Sequence, residues 1–301
     1  MKERGGFIGL GTMGKWMALN MLKAGFAMRV YDINPATVEF LVGQGAVSAK
    51  SPADVAGQVD WLFLSLPDTE VVEEVIFGET GIVQGARPGL VLIDLSTIGY
   101  MPTLEISRRL KEKGIRFADA PVSGMEARAK EAKITVMFGG EESLFQTVKP
   151  ALEAIGKQIV YMGAAGSGQL TKLINNLLFN ISCAGLAEVL PMSVKLGLDP
   201  EKVAQVVTTG TGRSFAADFF IPLILENRFA EGYPIKNAYK DLISAAEISS
   251  HRGIPLPMVS AATVTFQMAL AGGFGDLSKG GLIRVFEKML GTEFRKKQET
   301  E

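Results

Sequence analysis

The sequence predicts an α/β amino-terminal domain built on a parallel sheet, then an all-α carboxy-terminal domain, with a long helix joining the two. Three observations lead there. In residues 1–163 short β-branched or apolar runs alternate with helical patterns, the mark of βαβ units. Those runs are apolar almost throughout rather than at every second residue, as strands covered on both faces require. After Gly163 strand signals stop, and helical periodicity takes over, interrupted at Gly197, Pro200, Gly210, Gly212, Pro222, Gly232, Pro234, Gly253, Pro255 and Pro257. The expected domains are 1–163 and 164–301.

The predicted strands are Phe7-Ile8, Ala27 to Tyr31, Trp61 to Leu66, Leu90 to Leu95, Ile115 to Ala118, Ile134 to Phe138 and Ile159 to Tyr161. The first helix of the second half is expected from about Gly168 to Lys195, about 40 Å at 1.5 Å per residue, with Pro191 placed to bend it. A helix of that length can lie between two domains.

Composition excludes several classes. The chain has 301 residues, 47% apolar, with a formal net charge of -1, so it can bury substantial cores and has no global attraction to nucleic acid. One cysteine, Cys183, permits no internal disulfide, and the lack of a Cys/His cluster argues against structural zinc; no metal site is expected. Met1 to Phe7 enters an apolar strand without the hydrophobic stretch of a signal peptide, so a cytoplasmic location is expected. Leu173 to Leu190 is apolar but broken by Asn175, Asn176, Asn180 and Glu188, which argues against a membrane span.

The first chemical motif is Gly9-Leu10-Gly11-Thr12-Met13-Gly14, between a predicted strand and a predicted helix. A GxGxxG run alone recurs in ordinary glycine loops. In this setting it fits a dinucleotide loop, with one Gly for the tight turn, one for close approach of pyrophosphate and one for helix packing, and the helix N-terminus for the phosphates. Asp32 ends the next strand, where a carboxylate accepts hydrogen bonds from a ribose diol and repels a 2′-phosphate. Ile33-Asn34-Pro35 offers no cation to a 2′-phosphate, so NAD is favoured over NADP; Lys2, Arg4 and Arg29 are the alternative cations for the adenosine end. Leu66-Pro67-Asp68 and Asp94-Leu95-Ser96-Thr97 are further strand ends, where open parallel sheets bind ligands.

Asp119-Ala120-Pro121-Val122-Ser123-Gly124 also follows a strand, and its Ser and Gly can offer a hydroxyl and bare N–H groups to a small carboxylate. With one histidine, His251, and one cysteine in the chain, a lysine is the leading candidate for proton transfer. Lys172 and Asn176 are i and i+4, so they share one helix face, a proton carrier beside a hydroxyl-orienting amide, while Asn175 points about 100° away. A lysine works near neutral pH only where burial or a neighbouring cation such as Lys240 lowers its pKa from about 10.4. His251 falls at a predicted helix C-terminus, where a cation suits the dipole, and Cys183 reads as a small buried hydrophobe.

These motifs, in this order along the whole chain, resemble the β-hydroxyacid dehydrogenases, the family of 3-hydroxyisobutyrate dehydrogenase, tartronate semialdehyde reductase and the glyoxylate/succinic semialdehyde reductases. The resemblance rests on Gly9 to Gly14, Asp119 to Gly124, Gly168 through Lys172 to Asn176, and Lys240-Asp241. It implies a Rossmann-type domain and a helical domain with the active site in the cleft between them, and interconversion of a small 3-hydroxyacid and its semialdehyde by hydride transfer with NAD(P). It further implies that Lys172 is the general acid/base, that Ser123 and Gly124 hold the substrate carboxylate, and that Asn176 orients the substrate. Gly9 to Gly14, Asp32, Leu66, Pro67, Thr97, Lys240 and Asp241 are expected on the cofactor, with Lys240 also near substrate. A homodimer or homotetramer is expected.

The chain departs from the family where substrate is chosen. Many members continue Ser-Gly-Gly and enter the next strand through Gly-Thr-Leu; here Gly124 is followed by Met125, and Arg128 stands in the run before Ile134. Arg128 reads as a solvated loop residue or as a partner for a second substrate carboxylate. Phe215, Phe219, Phe220 and Tyr239 read as pocket or as core. Rival readings are an imine reductase, whose members usually replace the lysine, a 6-phosphogluconate dehydrogenase, which has a larger helical domain, and a non-catalytic NAD(P)-binding protein.

Overall fold

The computed structural model describes residues 4–296. Nine strands form one sheet: β1 Arg4–Ile8, β2 Ala27–Tyr31, β3 Val47–Ser48, β4 Trp61–Leu64, β5 Val91–Asp94, β6 Arg116–Asp119, β7 Val122–Ser123, β8 Ile134–Gly139 and β9 Gly156–Gly163. Their order is β3-β2-β1-β4-β5-β6-β8-β7, with β9 also on β8. From β3 to β6 all pairs are parallel, as expected. The winding direction reverses between β1 and β4, the position where such sheets open a crevice at their carboxyl ends.

Strand periodicity explains the layers. Phe7, Trp61, Phe63, Val91 and Ile93 pack on one face, and their neighbours Ile8, Leu62, Leu64 and Leu92 on the other. Because both faces are covered, consecutive residues are all buried, which is why these strands read as unbroken apolar runs. Helix starts follow local rules: Asn34, Ser51 and Asp68 cap helices Pro35–Val42, Pro52–Ala56 and Thr69–Phe77 by accepting backbone N–H bonds.

The sheet differs from expectation at one edge. β8 runs antiparallel to β6 and β7, and only β9 is again parallel to it. The connection 124–133 holds only the short helix Met125–Lys130, too little chain for a parallel crossover. The two-residue strands β3 and β7 escaped the sequence reading because two residues show no period.

The chain divides into two compact units, Met1–Lys172 and Leu173–Glu301. The helix Ser167–Lys195 runs unbroken through this division, with Pro191 near its end. It is long and apolar enough to cross a bilayer. Leu173, Leu177, Cys183, Ala187 and Leu190 nevertheless enter the core of the second unit, with residues of helices Phe215–Leu225, Ile235–Arg252, Pro257–Ala271 and Ile283–Leu290.

The start of that long helix is set by a buried polar cluster in the first unit. Asp94 and Asp119 end adjacent strands in register. The Asp119 carboxylate accepts the N–H of Gly166 at 2.5 Å and of Gln169 at 2.7 Å. Gln169 in turn donates its Nε2 to the Ser96 carbonyl at 2.7 Å, and Ser96 donates its N–H to Asp94 Oδ1 at 2.9 Å. Gly168 allows the contact to be this close, since a Cβ there would lie 2.3 Å from the Met137 carbonyl oxygen. Among the described residues Asp94 Oδ2 has no hydrogen-bond partner.

Burial pushes the carboxyl groups of Asp94 and Asp119 up to about 6. Both folded values lie above the ordinary 3.8, so between about pH 4 and 6 the folded chain keeps protons that the unfolded chain has released. Their contribution to stability is therefore greatest at low pH and declines as pH rises through about 6, by on the order of 3 kcal/mol per group. Asp94→Asn, which mimics the protonated acid, should gain on the native chain by about 1–3 kcal/mol between pH 4 and 7.5 in urea titrations. A difference that stays constant over this range would show that Asp94 titrates as an ordinary carboxylate.

Candidate active site

The loop after β1 has the geometry of a phosphate cradle. Gly9 adopts φ +91, and a Cβ there would stand 2.2 Å from the Ser65 carbonyl oxygen beyond β4. A Cβ on Gly14 would stand 1.9 Å from the Gly9 carbonyl oxygen, so the third glycine lets the helix Gly14–Lys23 start hard against the loop. Gly11 is different: nothing lies within 4 Å of where its Cβ would be. The second glycine therefore leaves open space on the outer side of the loop, the space a close-bound pyrophosphate fits. Met13 precedes the helix without a side-chain cap, and Thr12 is exposed.

Asp32 stands at the end of β2 beside this loop. Its carboxylate accepts the Leu10 N–H at 2.5 Å and the Asn34 N–H at 2.7 Å, which fixes its orientation. Leu10 itself is a core side chain with its amide committed to Asp32. Arg4 pairs with Asp60 at 3.1 Å, and Arg29 lies within β2 beside β3. Met1–Glu3, Lys2 included, lie outside the described residues.

The ends of β4 and β5 are tied together. Leu66 donates its N–H to Ser96 Oγ at 2.9 Å, Pro67 is exposed, and Thr97 is half-buried. Asp68 serves as a helix cap, accepting the Val71 N–H at 2.9 Å, which is the turn role its position suggests.

The Ser123-Gly124 loop carries conformational strain. Ser123 pairs with Thr135 across β7 and β8, and Gly124 has φ +148. Met125 at φ +60 and Ala132 at φ +54 are two of three non-glycine residues with positive φ among the described residues. Each costs about 1 kcal/mol or more against a glycine in the same place. Met125 stands where many family members continue Ser-Gly-Gly, so that departure falls where the backbone favours glycine.

Lys172 lies on the second turn of the long helix, half-buried, with Asn176 one turn further on. Asn176 donates its Nδ2 to Asp241 Oδ2 at 3.0 Å, and its Oδ1 accepts from Asn175 at 3.3 Å. Asp241, 7% exposed on helix Ile235–Arg252, is thus the group that orients the Asn176 amide, a role its sequence position does not reveal. Lys240 beside it is half-buried.

The remaining candidates separate cleanly. Phe220 is core, Phe215 is 63% exposed, and the Tyr239 hydroxyl accepts from Gln267 at 2.9 Å. His251 is exposed in the last turn of its helix, and burial pushes the Cys183 thiol up to about 12, which leaves it an inert hydrophobe. Gln169 and Lys279 are among the buried polar residues to which the sequence reading gave no role. Gln169 fastens the long helix to the β5 loop, and Lys279, 4% exposed, donates to Asn180 Oδ1 at 3.0 Å over the Phe179 ring. For Gln169, a polar residue just inside a predicted helix start was the available signal.

Comparison with known proteins identifies the family. Residues 4–163 match the NAD binding domain of 6-phosphogluconate dehydrogenase, and residues 166–286 match the NAD-binding family of NADP-dependent 3-hydroxyisobutyrate dehydrogenase. The chain is 38% identical to 2-(hydroxymethyl)glutarate dehydrogenase of Eubacterium barkeri, covering 95% of each chain. It is 34% identical to 2-hydroxy-3-oxopropionate reductase of Escherichia coli (strain K12), covering 94% of this chain and 97% of that one. The solved structure of 3-hydroxyisobutyrate dehydrogenase from Mycobacterium tuberculosis with L-serine superposes with a TM-score of 0.84 at 30% identity, covering 94% of this chain and 99% of that one. The chain belongs to the β-hydroxyacid dehydrogenase family and is an NAD(P)-dependent hydroxyacid dehydrogenase.

Proposed function

We propose that the protein interconverts a small 3-hydroxyacid and its semialdehyde, with Lys172 as the proton carrier. The observation that carries this reading is the paired Lys172 and Asn176 on one helix face, with the Asn176 amide held by Asp241 and the helix start held by Asp119. The reductase and dehydrogenase names of the relatives support it.

A bound nicotinamide supplies the hydride acceptor or donor. In the oxidative direction the neutral Lys172 amine takes the hydroxyl proton, and in reduction its ammonium returns it to the carbonyl oxygen. Asn176 is pre-oriented to hold that oxygen, since Asp241 fixes its Nδ2 side and leaves the amide no freedom to flip. The Ser123 hydroxyl and the Gly124 backbone hold the substrate carboxylate. Gly9 to Gly14 receive the pyrophosphate, Asp32 the adenosine ribose, and Leu66, Pro67, Thr97, Lys240 and Asp241 complete the surroundings of cofactor and substrate, Asp241 through Asn176. The Asp32 carboxylate supports NAD over NADP, because a 2′-phosphate would meet like charge there. We take residues 1–163 as the cofactor domain and 164–301 as the substrate and assembly domain of a cytoplasmic homodimer or homotetramer.

Three measurements test this. Lys172→Ala should bind NAD with near-native affinity and lose turnover by about a thousandfold or more, since general acid–base catalysis contributes about 10²–10⁴; retained turnover on 3-hydroxyacids and short semialdehydes, followed at 340 nm, would remove Lys172 from the mechanism. Gly11→Ala should leave the melting temperature unchanged and weaken cofactor binding at least tenfold, whereas Gly14→Ala should destabilise the fold itself; equal melting losses in both would contradict the open space at Gly11. Asp32→Ser should shift the ratio of NAD to NADP kcat/KM toward NADP by about tenfold or more, the effect of removing one close like charge. An unaltered ratio would show that Asp32 does not choose the cofactor.

A further inference from the structure

The charged residues of the loop between β7 and β8 are unequally engaged. Glu126 accepts the Trp16 indole N–H at 2.9 Å and pairs with Lys130 at 3.0 Å. Lys133 pairs with Glu131 at 2.8 Å. Arg128 is exposed, and its guanidinium has no hydrogen bond or ion pair with the described residues. Glu131 feels its charge, but only behind the direct hydrogen bond from Lys133.

The position of the Arg128 stem is specific. A Cβ built on Gly124 would lie 3.0 Å from Arg128 Cβ and 3.2 Å from its Cδ, so the side chain folds back along Gly124 rather than leaving the loop directly. Gly124 is the residue assigned above to the substrate carboxylate. The stretch that presents Arg128 is bounded by Met125 at φ +60 and Ala132 at φ +54, strained positions on either side of it. Strain of this kind persists where the surroundings over-determine the backbone, and it gathers at ligand-binding segments.

We propose that Arg128 is a specificity residue that binds a second carboxylate of the substrate, so that the preferred substrate is a dicarboxylic hydroxyacid. The inference rests on the function proposed above, with Ser123 and Gly124 holding the first carboxylate. A guanidinium suits this task, because its planar fork of donors matches a carboxylate in a bidentate pair, and among the described residues no acid pairs with it. Ser123-Gly124 and Arg128 then form two anion-binding points on one loop, and the distance between the carboxylates of the substrate becomes a selected property.

The test is steady-state kinetics at saturating cofactor with two substrates that share one carbinol: 3-hydroxyisobutyrate, with one carboxylate, and 2-(hydroxymethyl)succinate, with two. The native enzyme should show a KM at least tenfold lower for the dicarboxylate. Arg128→Ala should raise that KM tenfold or more, change kcat by less than twofold and leave the KM for 3-hydroxyisobutyrate within twofold, while Arg128→Lys should recover part of the loss. An equal rise for both substrates would place Arg128 on the shared carboxylate and overturn the inference, as would no change for either, or a native preference for the monocarboxylate. If the native enzyme turns over 3-hydroxyisobutyrate alone, the second carboxylate is wrong and the proposed reaction stands. Turnover of neither substrate overturns the inference, and the Lys172→Ala comparison on the wider hydroxyacid panel then decides the reaction itself.

Discussion

The buried carboxylate of Asp119 is the contact on which the candidate site depends. It ends β6 and accepts the N–H groups of Gly166 and Gln169, the otherwise orphaned donors at the start of the long helix. With those two bonds made, the phase of the helix is set, and with it the direction in which Lys172 leaves the axis one turn later. A carboxylate in this setting satisfies helix donors and suits the positive end of the dipole, which offsets part of the cost of burying it. The remainder of that cost is visible in its raised titration and in that of its register partner Asp94.

The same economy of contact appears in the glycine loop. Gly9 and Gly14 are required by the protein itself, because a Cβ at either would meet a backbone carbonyl oxygen. Gly11 is required by nothing inside the protein. One motif thus contains two glycines that packing requires and one that faces open space, and a single sequence pattern conceals the difference. The Ser123-Gly124 loop shows the converse, with Met125 and Ala132 held in backbone conformations that favour glycine.

Much of the fold was legible because its causes are local. Apolar runs from Phe7 to Ile93 announced strands covered on both faces, and the long helix was placed within one residue of its observed start. The antiparallel β8 was not legible, since strand direction depends on whether the connecting chain is long enough to cross over. That Lys172 and Asn176 lie one turn apart on one helix followed from spacing. The Asp241 bond to Asn176 did not, because it joins residues on two helices far apart in sequence.

By itself the sequence determined the class of fold, the glycine loop with its acidic partner Asp32, and the lysine on a helix face, because each depends on spacing along one segment. Tertiary structure alone decided which glycines serve folding and which leave room for a ligand, that Asp94, Ser96, Asp119 and Gln169 form one cluster, and that the Arg128 stem lies along Gly124. Those outcomes turn on distances between segments that chain order does not encode, and in a close-packed interior a shift of one or two ångströms reverses them.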